Sequence, residues 1–323
     1  MHDICKERLF MQKVFIDGSA GTTGLKIEQR LATRRGISLL KLPEERRKDL
    51  AARAEMINAA DLVFLCLPDE AARQAAALVR NAHTRLIDAS TAHRVAPGWA
   101  YGFPELGKGA FREAIRESRR VAVPGCHASG FLALVYPLLS AGLLPKNAAL
   151  HCLSLTGYTG GGKAMIADYE SPERTNDDAL RAPGLYALAQ SHKHLPEMRG
   201  VAGLELPPVF CPVLADFPRG MEVIVPLHRA QLRPGTARAD VLACYEEACA
   251  GEALIRVGPA SEEDVLSANQ MAGRDSMRIT VEGNDERMTL IARFDNLGKG
   301  ASGAALQCMN LMLGAKETEG LVP

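Results

Sequence analysis

The chain predicts an α/β protein in two parts: a doubly wound parallel sheet, then an α+β region with a mostly antiparallel sheet. Three observations predict it. The first 125 residues alternate short apolar runs with helical patterns, and such a βαβαβ rhythm builds a parallel sheet covered by helices. A glycine-rich turn, Gly18-Ser19-Ala20-Gly21-Thr22-Thr23-Gly24, separates the first run from the first helix. After Gly125 the rhythm gives way to strand-like runs joined by irregular links.

The elements follow in order. Residues 1–10 read as a frayed extension, with charges at Asp3, Lys6, Glu7 and Arg8 that exclude a signal peptide. Lys13 to Asp17 is a strand that ends at Gly18. A helix follows with Leu25, Ile27 and Leu31 on one side. Ile37 to Leu42 is a second strand, stopped by Pro43, and Glu44 to Ala59 reads as a charged, exposed helix. Asp61 to Leu67 is almost wholly apolar, as a strand buried on both faces must be. An alanine-rich helix spans about Asp69 to Asn81, and Arg85 to Ser90 and Arg119 to Pro124 are further strands. Past Gly125, an apolar helix runs from Ser129 to Ala141. Strands are expected at Ala149–Thr156, Val209–Ala215, Met221–Leu227 and Ile255–Val257. Met277–Glu282 and Arg287–Asp295 flank Gly283-Asn284-Asp285, a hairpin signal, and a last helix covers Ser302 to Leu313.

Composition bounds the function. The 323 residues carry 38 basic and 38 acidic side chains, so no general basic footprint for nucleic acid exists. No run reaches the roughly 20 apolar residues that span a bilayer. Eight cysteines without a C-x-x-C pair form neither a disulfide framework nor a zinc ligand set, which points to a reducing cytoplasm.

Two loops carry chemistry. Glycines in a βα turn let a pyrophosphate approach the backbone, and the helix N-terminus offers it N–H groups and partial positive charge. Gly18, Ser19, Ala20, Gly21, Thr22, Thr23 and Gly24 are therefore the candidate dinucleotide-binding residues. At the end of the second strand, Arg46 and Arg47 stand where an NAD site usually carries an acidic residue. They are either acceptors of a 2′-phosphate, which favours NADP, or solvated residues of a helix start. In Pro124-Gly125-Cys126-His127-Ala128-Ser129-Gly130, the thiol stands at a helix start, where the dipole and free N–H groups acidify it and can hold an oxyanion. The His127 side chain is expected to point away. A thiolate nucleophile needs a proton-handling partner, and His192-Lys193-His194-Leu195-Pro196-Glu197 offers two histidines. Two histidines at i, i+2 are half a metal site, but no third ligand is evident, so no metal is expected. Arg94, following Ser90 and Thr91 after a parallel strand, is either a phosphate ligand or a surface arginine.

The ordered set Gly18–Gly24, Pro124–Gly130, Thr156-Gly-Tyr-Thr-Gly-Gly-Gly-Lys163, His192–Glu197 and Asn296-Leu-Gly-Lys-Gly-Ala-Ser-Gly303 resembles the N-acetyl-gamma-glutamyl-phosphate reductase family in its shorter form. The resemblance runs from about Met11 to the end. It implies a Rossmann-type NADP-binding domain at 1–125, a catalytic and dimerisation domain at 126–298, and a C-terminal helix, 299–323, that returns to the first domain. It implies NADPH-dependent reduction of an acyl phosphate to a semialdehyde in arginine biosynthesis, through a thioester on Cys126. His194 is the expected proton-transfer residue, with His192 the alternative. Gly160, Gly161, Asn296 and Gly298 are expected at the cofactor, and Arg94, Ser90, Tyr101 and Glu197 at the substrate or the histidine. A homodimer or homotetramer is expected. The long form has an aromatic residue and then Pro after the cysteine, where this chain has His127 and Ala128. Rival readings are a semialdehyde dehydrogenase for an aspartyl or aminoadipyl substrate, and a non-catalytic dinucleotide sensor.

Overall fold

Every apolar run of the first 125 residues becomes a strand of one parallel sheet. The computed structural model describes residues 11–176, 178–259 and 264–323, so the expected frayed extension at 1–10 lies outside the described residues. In chain order the elements are β1 (Gln12–Asp17), α1 (Thr22–Leu31), β2 (Ile37–Leu40), α2 (Leu50–Ala59), β3 (Leu62–Leu65), α3 (Asp69–Ala77), β4 (Arg85–Asp88), β5 (Ala100–Tyr101), α4 (Ala110–Glu117) and β6 (Arg120–Ala122). Strand order is β2-β1-β3-β4-β6-β5, and each neighbouring pair is parallel. Strand order reverses between β1 and β3, and ligands of such sheets bind at that point, outside the carboxyl ends.

Alternation along β1 explains its apolar run Val14–Ile16. Val14 and Ile16 face one core with Ile27 and Leu31, while Phe15 faces another with Ile57, Ala75 and Ala76. The expected exposed helix at Glu44–Ala59 is different. Glu44–Arg46 is a single 3-10 turn, and α2 starts afresh behind Asp49, whose Oδ1 accepts from the N–H groups of Ala51 (2.9 Å) and Ala52 (3.2 Å). An Asp N-cap begins a helix by meeting its orphan donors. α2 also buries Ala52, Arg53, Ala54 and Ile57.

The second part begins with α5 (Cys126–Ser140), continues with β7 (His151–Gly157), α6 (Gly162–Glu170), β8 (Gly184–Leu185), α7 (Leu195–Ala202), β9 (Val209–Ala215), β10 (Met221–His228), α8 (Arg238–Ala248), β11 (Ile255–Val257), β12 (Met277–Gly283) and β13 (Arg287–Phe294), and closes with α9 (Gly303–Met312). The seven-stranded sheet runs β11-β12-β13-β10-β7-β9-β8. It is mixed: β11–β12 and β7–β9 are parallel and the remaining four pairs antiparallel. Helix α5 is apolar all round because it lies in the centre of the core. Phe131, Leu132, Leu134, Val135 and Leu138 are each fully buried, and each such side chain contributes about 1.5–3 kcal/mol. α9 returns to the first sheet, where Leu306, Met309 and Leu311 join the Val14–Ile16 core. Its entry is a π-helical turn, Gly298–Ser302, a form found often at functional sites.

Candidate active site

Between the two sheets lies a cavity of about 600 Å³, and a second of about 300 Å³ continues past the glycine turn, with Leu67 lining both. The turn is built by contact as well as by conformation. Gly18 has φ +93°, and a Cβ there would stand 2.3 Å from the Cys66 carbonyl oxygen. A Cβ on Gly24 would stand 2.4 Å from the Gly18 carbonyl oxygen. The turn is thus pressed onto the end of β3, directly at the switch point. Gly21 caps α1 without a side-chain bond, and the first turn of α1 holds no acidic residue. Its N–H groups are left for an anion. Beneath the turn, Asp17 is buried against Arg53, with Nη2 2.8 Å from Oδ2.

Gly21, Thr22, Thr23 and Gly24 line the larger cavity, and Gly18, Ser19 and Ala20 the smaller. Arg46 lines neither. It is exposed and lies 3.4 Å from Asp49, because the 3-10 turn swings it outward. The next residue, Arg47, lines the smaller cavity with Lys41. Of the two arginines expected at the end of β2, Arg47 and not Arg46 lines the cavity.

Cys126 opens α5 and lines the larger cavity with Arg94, His127, Tyr186, His192, Lys193 and His194. Gly125 is what lets the histidine in. A Cβ on it would lie 2.3 Å from His194 Nε2 and 2.4 Å from Arg94 Nη1. The same residue donates its N–H to Glu197 Oε1 (2.8 Å), which also accepts from the Tyr101 hydroxyl (2.6 Å). Glu197 Oε2 pairs with Arg94 Nη1 at 2.9 Å, and Arg94 Nε donates to the Val123 carbonyl. One carboxylate thereby clamps the turn before the nucleophile, the arginine beside it and a tyrosine.

Three residues expected at the substrate or the histidine do not line the cavity. Tyr101 and Glu197 are buried and turned toward each other, outside the cavity lining. Ser90 is buried and donates to Asp88 (2.8 Å), capping its own turn. Arg94 does line the cavity. His127 does not point away: its Nδ1 lies 2.7 Å from the Ser154 hydroxyl and its Nε2 2.7 Å from the Tyr186 hydroxyl, inside the site.

The electrostatics of the thiol also differ from the sequence expectation. Burial pushes the Cys126 thiol up to about 11, while Arg94 and the His127 N–H pull the other way without winning. Burial likewise holds His194 well below 6.5, with Arg94 and the other two histidines adding to it. At neutral pH the resting pair is therefore thiol and neutral imidazole, not thiolate and imidazolium. Cys66 and Cys308 are pushed up to about 12, again by burial.

The wall facing Cys126 comes from the second sheet. Gly160, Gly161, Asn296, Leu297 and Gly300 line the cavity. Asn296 Oδ1 accepts from the Gly220 N–H (3.0 Å) and its Nδ2 donates to Thr159 (3.1 Å), which locks the side chain. A Cβ on Gly300 would come within 3.0 Å of Cys126 Cβ. Gly298 lies outside the lining: it backs onto the Arg274 carbonyl, where a Cβ would stand 2.1 Å away. Asp295, unmarked by any sequence signal, shapes this loop. Its Oδ1 accepts from the N–H groups of Leu297 (2.7 Å) and Gly298 (2.9 Å). Lys193 and Tyr186 were also missed. Lys193 was hidden between the histidines, and Tyr186 reaches the site only through the β8 edge.

Known proteins resemble this chain in sequence and in fold. The family profile described as "Semialdehyde dehydrogenase, NAD binding domain" matches residues 13–116, and "Semialdehyde dehydrogenase, dimerisation domain" matches 126–296. A curated relative from Sinorhizobium fredii is 46% identical over 308 residues, covering 94% of this chain and 99% of its own length. Another, from Brucella ovis, is 47% identical over 309 residues with the same coverage. Both are named N-acetyl-gamma-glutamyl-phosphate reductase. Solved aspartate semialdehyde dehydrogenases share the fold at low identity. Those from Vibrio cholerae (TM-score 0.70, 14% identity) and Francisella tularensis (TM-score 0.71, 13% identity) each cover 94% of this chain, and 98% and 100% of their own.

Proposed function

Because the chain belongs to the N-acetyl-gamma-glutamyl-phosphate reductases, oxidoreductases of the semialdehyde dehydrogenase family, we propose that it reduces N-acetyl-glutamyl 5-phosphate to the 5-semialdehyde in arginine biosynthesis, with NADPH as reductant. The single observation that carries the mechanism is the cavity in which the Cys126 helix start, His194 and the glycine turn meet.

The glycine cradle that a Cβ would fill, the uncapped start of α1 and the cationic pair Lys41 and Arg47 fit a dinucleotide carrying a 2′-phosphate. NADPH, when bound, supplies hydride to the carbonyl carbon of an acyl group on Cys126. The residues do the rest. As Cys126 Sγ attacks the acyl carbon, its proton passes to His194 and phosphate departs from that carbon. The N–H groups at the start of α5 hold the carbonyl oxygen as it gains charge. After reduction the carbon–sulfur bond breaks, the oxygen returns to a carbonyl, and the sulfur takes its proton back from His194. A neutral histidine suits the first transfer and its protonated form the second. Two easier steps replace one difficult step. Arg94 and Lys193 are the cations available to the acyl phosphate.

The domain assignment proposed is a cofactor domain at 1–125, a catalytic and dimerisation domain at 126–298 and a returning segment at 299–323. Exposed Leu153, Leu185 and Val209 lie on the β7–β9–β8 end of the second sheet, and a second copy would cover them in a homodimer or homotetramer. No helix among the described residues is long and apolar enough to cross a membrane, and the free cysteines among them fit a reducing cytoplasm.

The test is a panel of semialdehydes oxidised with phosphate, using NADP and NAD side by side. N-acetyl-glutamate semialdehyde with NADP should lead, and a lead by the aspartyl compound would overturn the substrate. Cys126→Ser should abolish turnover but spare cofactor binding; turnover within about tenfold of the parent would sink the covalent route.

A further inference from the structure

The sequence holds half a metal site in His192 and His194 and lacks a third ligand. The fold supplies it. His127, from the first turn of α5, brings a ring nitrogen within 4.8 Å of one nitrogen on each of the other two histidines. The three rings stand splayed around a common point. Centroids are 4.7 Å apart for His192–His194, 5.4 Å for His127–His194 and 5.6 Å for His127–His192, with interplanar angles of 86°, 55° and 85°. His194 Nδ1 is buried without a hydrogen-bond partner.

We propose that His127, His192 and His194 form a tridentate site for a borderline divalent metal ion of the Zn²⁺ type, reached through the cavity that exposes Cys126. Imidazole suits such ions, which three histidines and one exchangeable ligand hold tetrahedrally. Zinc–nitrogen bonds of about 2.0–2.1 Å require nitrogens roughly 3.3 Å apart, so side-chain rotations must draw them inward by up to about 1.5 Å. The donors are ready for this. His127 gives up only a hydroxyl, from Ser154 or Tyr186, and His192 Nδ1 gives up a 3.1 Å bond from the His194 N–H. Two cations oppose the ion, but Arg94 is met by Glu197 at 2.9 Å and Lys193 interacts with Asp69. Cys126 adjoins His127 and lines the same cavity, so its sulfur, releasing its proton to water as the metal binds, is the natural fourth ligand. A metal held there blocks the nucleophile and engages His194, making the occupied protein inactive. That last consequence rests on the proposed reductase mechanism, whereas the binding does not.

The full chain, stripped with chelator, is titrated with Zn²⁺ under equilibrium dialysis and with Co²⁺ under visible absorption. One equivalent per chain and a tetrahedral Co²⁺ spectrum are expected. His127→Phe, which keeps a ring in place, and His192→Asn should each weaken Zn²⁺ binding by at least about 100-fold, the upper range for losing even an outer hydrogen-bond partner of a ligand. Metal-free melting curves show which variants retain the fold, and either one suffices. Cys126→Ser should keep the equivalent while losing the sulfur-to-Co²⁺ charge-transfer band. Failure of the parent chain to bind an equivalent at low micromolar metal overturns the proposal. So does binding that survives both histidine variants or vanishes in Cys126→Ser alone.

Discussion

Replacing Gly125 by alanine adds one methyl group between the nucleophile and its proton partner. The backbone there has φ −73° and ψ 143°, a region open to any residue, so alanine introduces no conformational strain. The whole effect falls on two neighbours. The new Cβ would stand 2.3 Å from His194 Nε2 and 2.4 Å from Arg94 Nη1, where ordinary contact begins at 3.4 Å. Each side chain must retreat by about 1 Å. A 1 Å misplacement costs about 100-fold in rate, or roughly 2.7 kcal/mol of barrier at 1.36 kcal/mol per decade. The Gly125 N–H still reaches Glu197, so the turn itself should hold. Phosphate-dependent reduction of NADP by the semialdehyde is the assay, read as kcat beside a melting curve and a cofactor-binding isotherm. The expected result is kcat down about 100-fold with cofactor affinity little changed. A kcat within threefold of the parent, in a folded protein, would refute the claim that Gly125 is glycine to admit His194.

Gly24→Ala drives a methyl into the Gly18 carbonyl, at 2.4 Å. NADPH affinity should fall by tenfold or more while alkylation of Cys126 by iodoacetamide stays unchanged; unaltered affinity would remove the turn from the cofactor site. Arg47→Ala should raise KM for NADPH severalfold and leave KM for NADH alone, whereas Arg46→Ala should do neither, and the reverse ranking would restore Arg46. His194→Asn should depress kcat far more than His192→Asn, measured at saturating substrate; equal losses would dissolve the distinction between them. Alkaline stability follows from the buried thiols. Cys66 and Cys308 ionise near 9.0 when unfolded but only near about 12 when folded, so above pH 9 the unfolded chain binds fewer protons and stability falls as pH rises. Melting temperature should drop steadily from pH 9 to 11, and a flat profile there would contradict the burial of these thiols.

Local pattern was enough for the first sheet. Its predicted strands are short, have apolar centres and are bounded by glycine, proline or charge, and helices in the connections let neighbouring strands pair in parallel. In the second part the strands and the helices α5 and α9 were legible, while α6, α7 and α8 were not; strands β5, in the first sheet, and β8, in the second, have two residues each, too few for any periodicity to register. The elements that hold the site together were the least legible. Glu197 lies about a hundred residues from Arg94 and Tyr101, and their meeting at Gly125 leaves no trace in spacing.

By itself the amino-acid sequence determined the parallel dinucleotide-binding sheet, the glycine turn, the helix start at Cys126 and the paired histidines, because each is a local pattern of backbone preference and side-chain period. The tertiary structure alone decided what those groups face. It joined Tyr101 and Glu197, expected at the substrate or the histidine, into a clamp on the Gly125 turn, chose Arg47 over Arg46 at the cavity, and brought His127 inward to Tyr186 and Ser154. It also set the protonation of the reacting pair. A helix start favours thiolate locally, but the cost of burying charge is fixed by everything packed around the sulfur, and here burial wins.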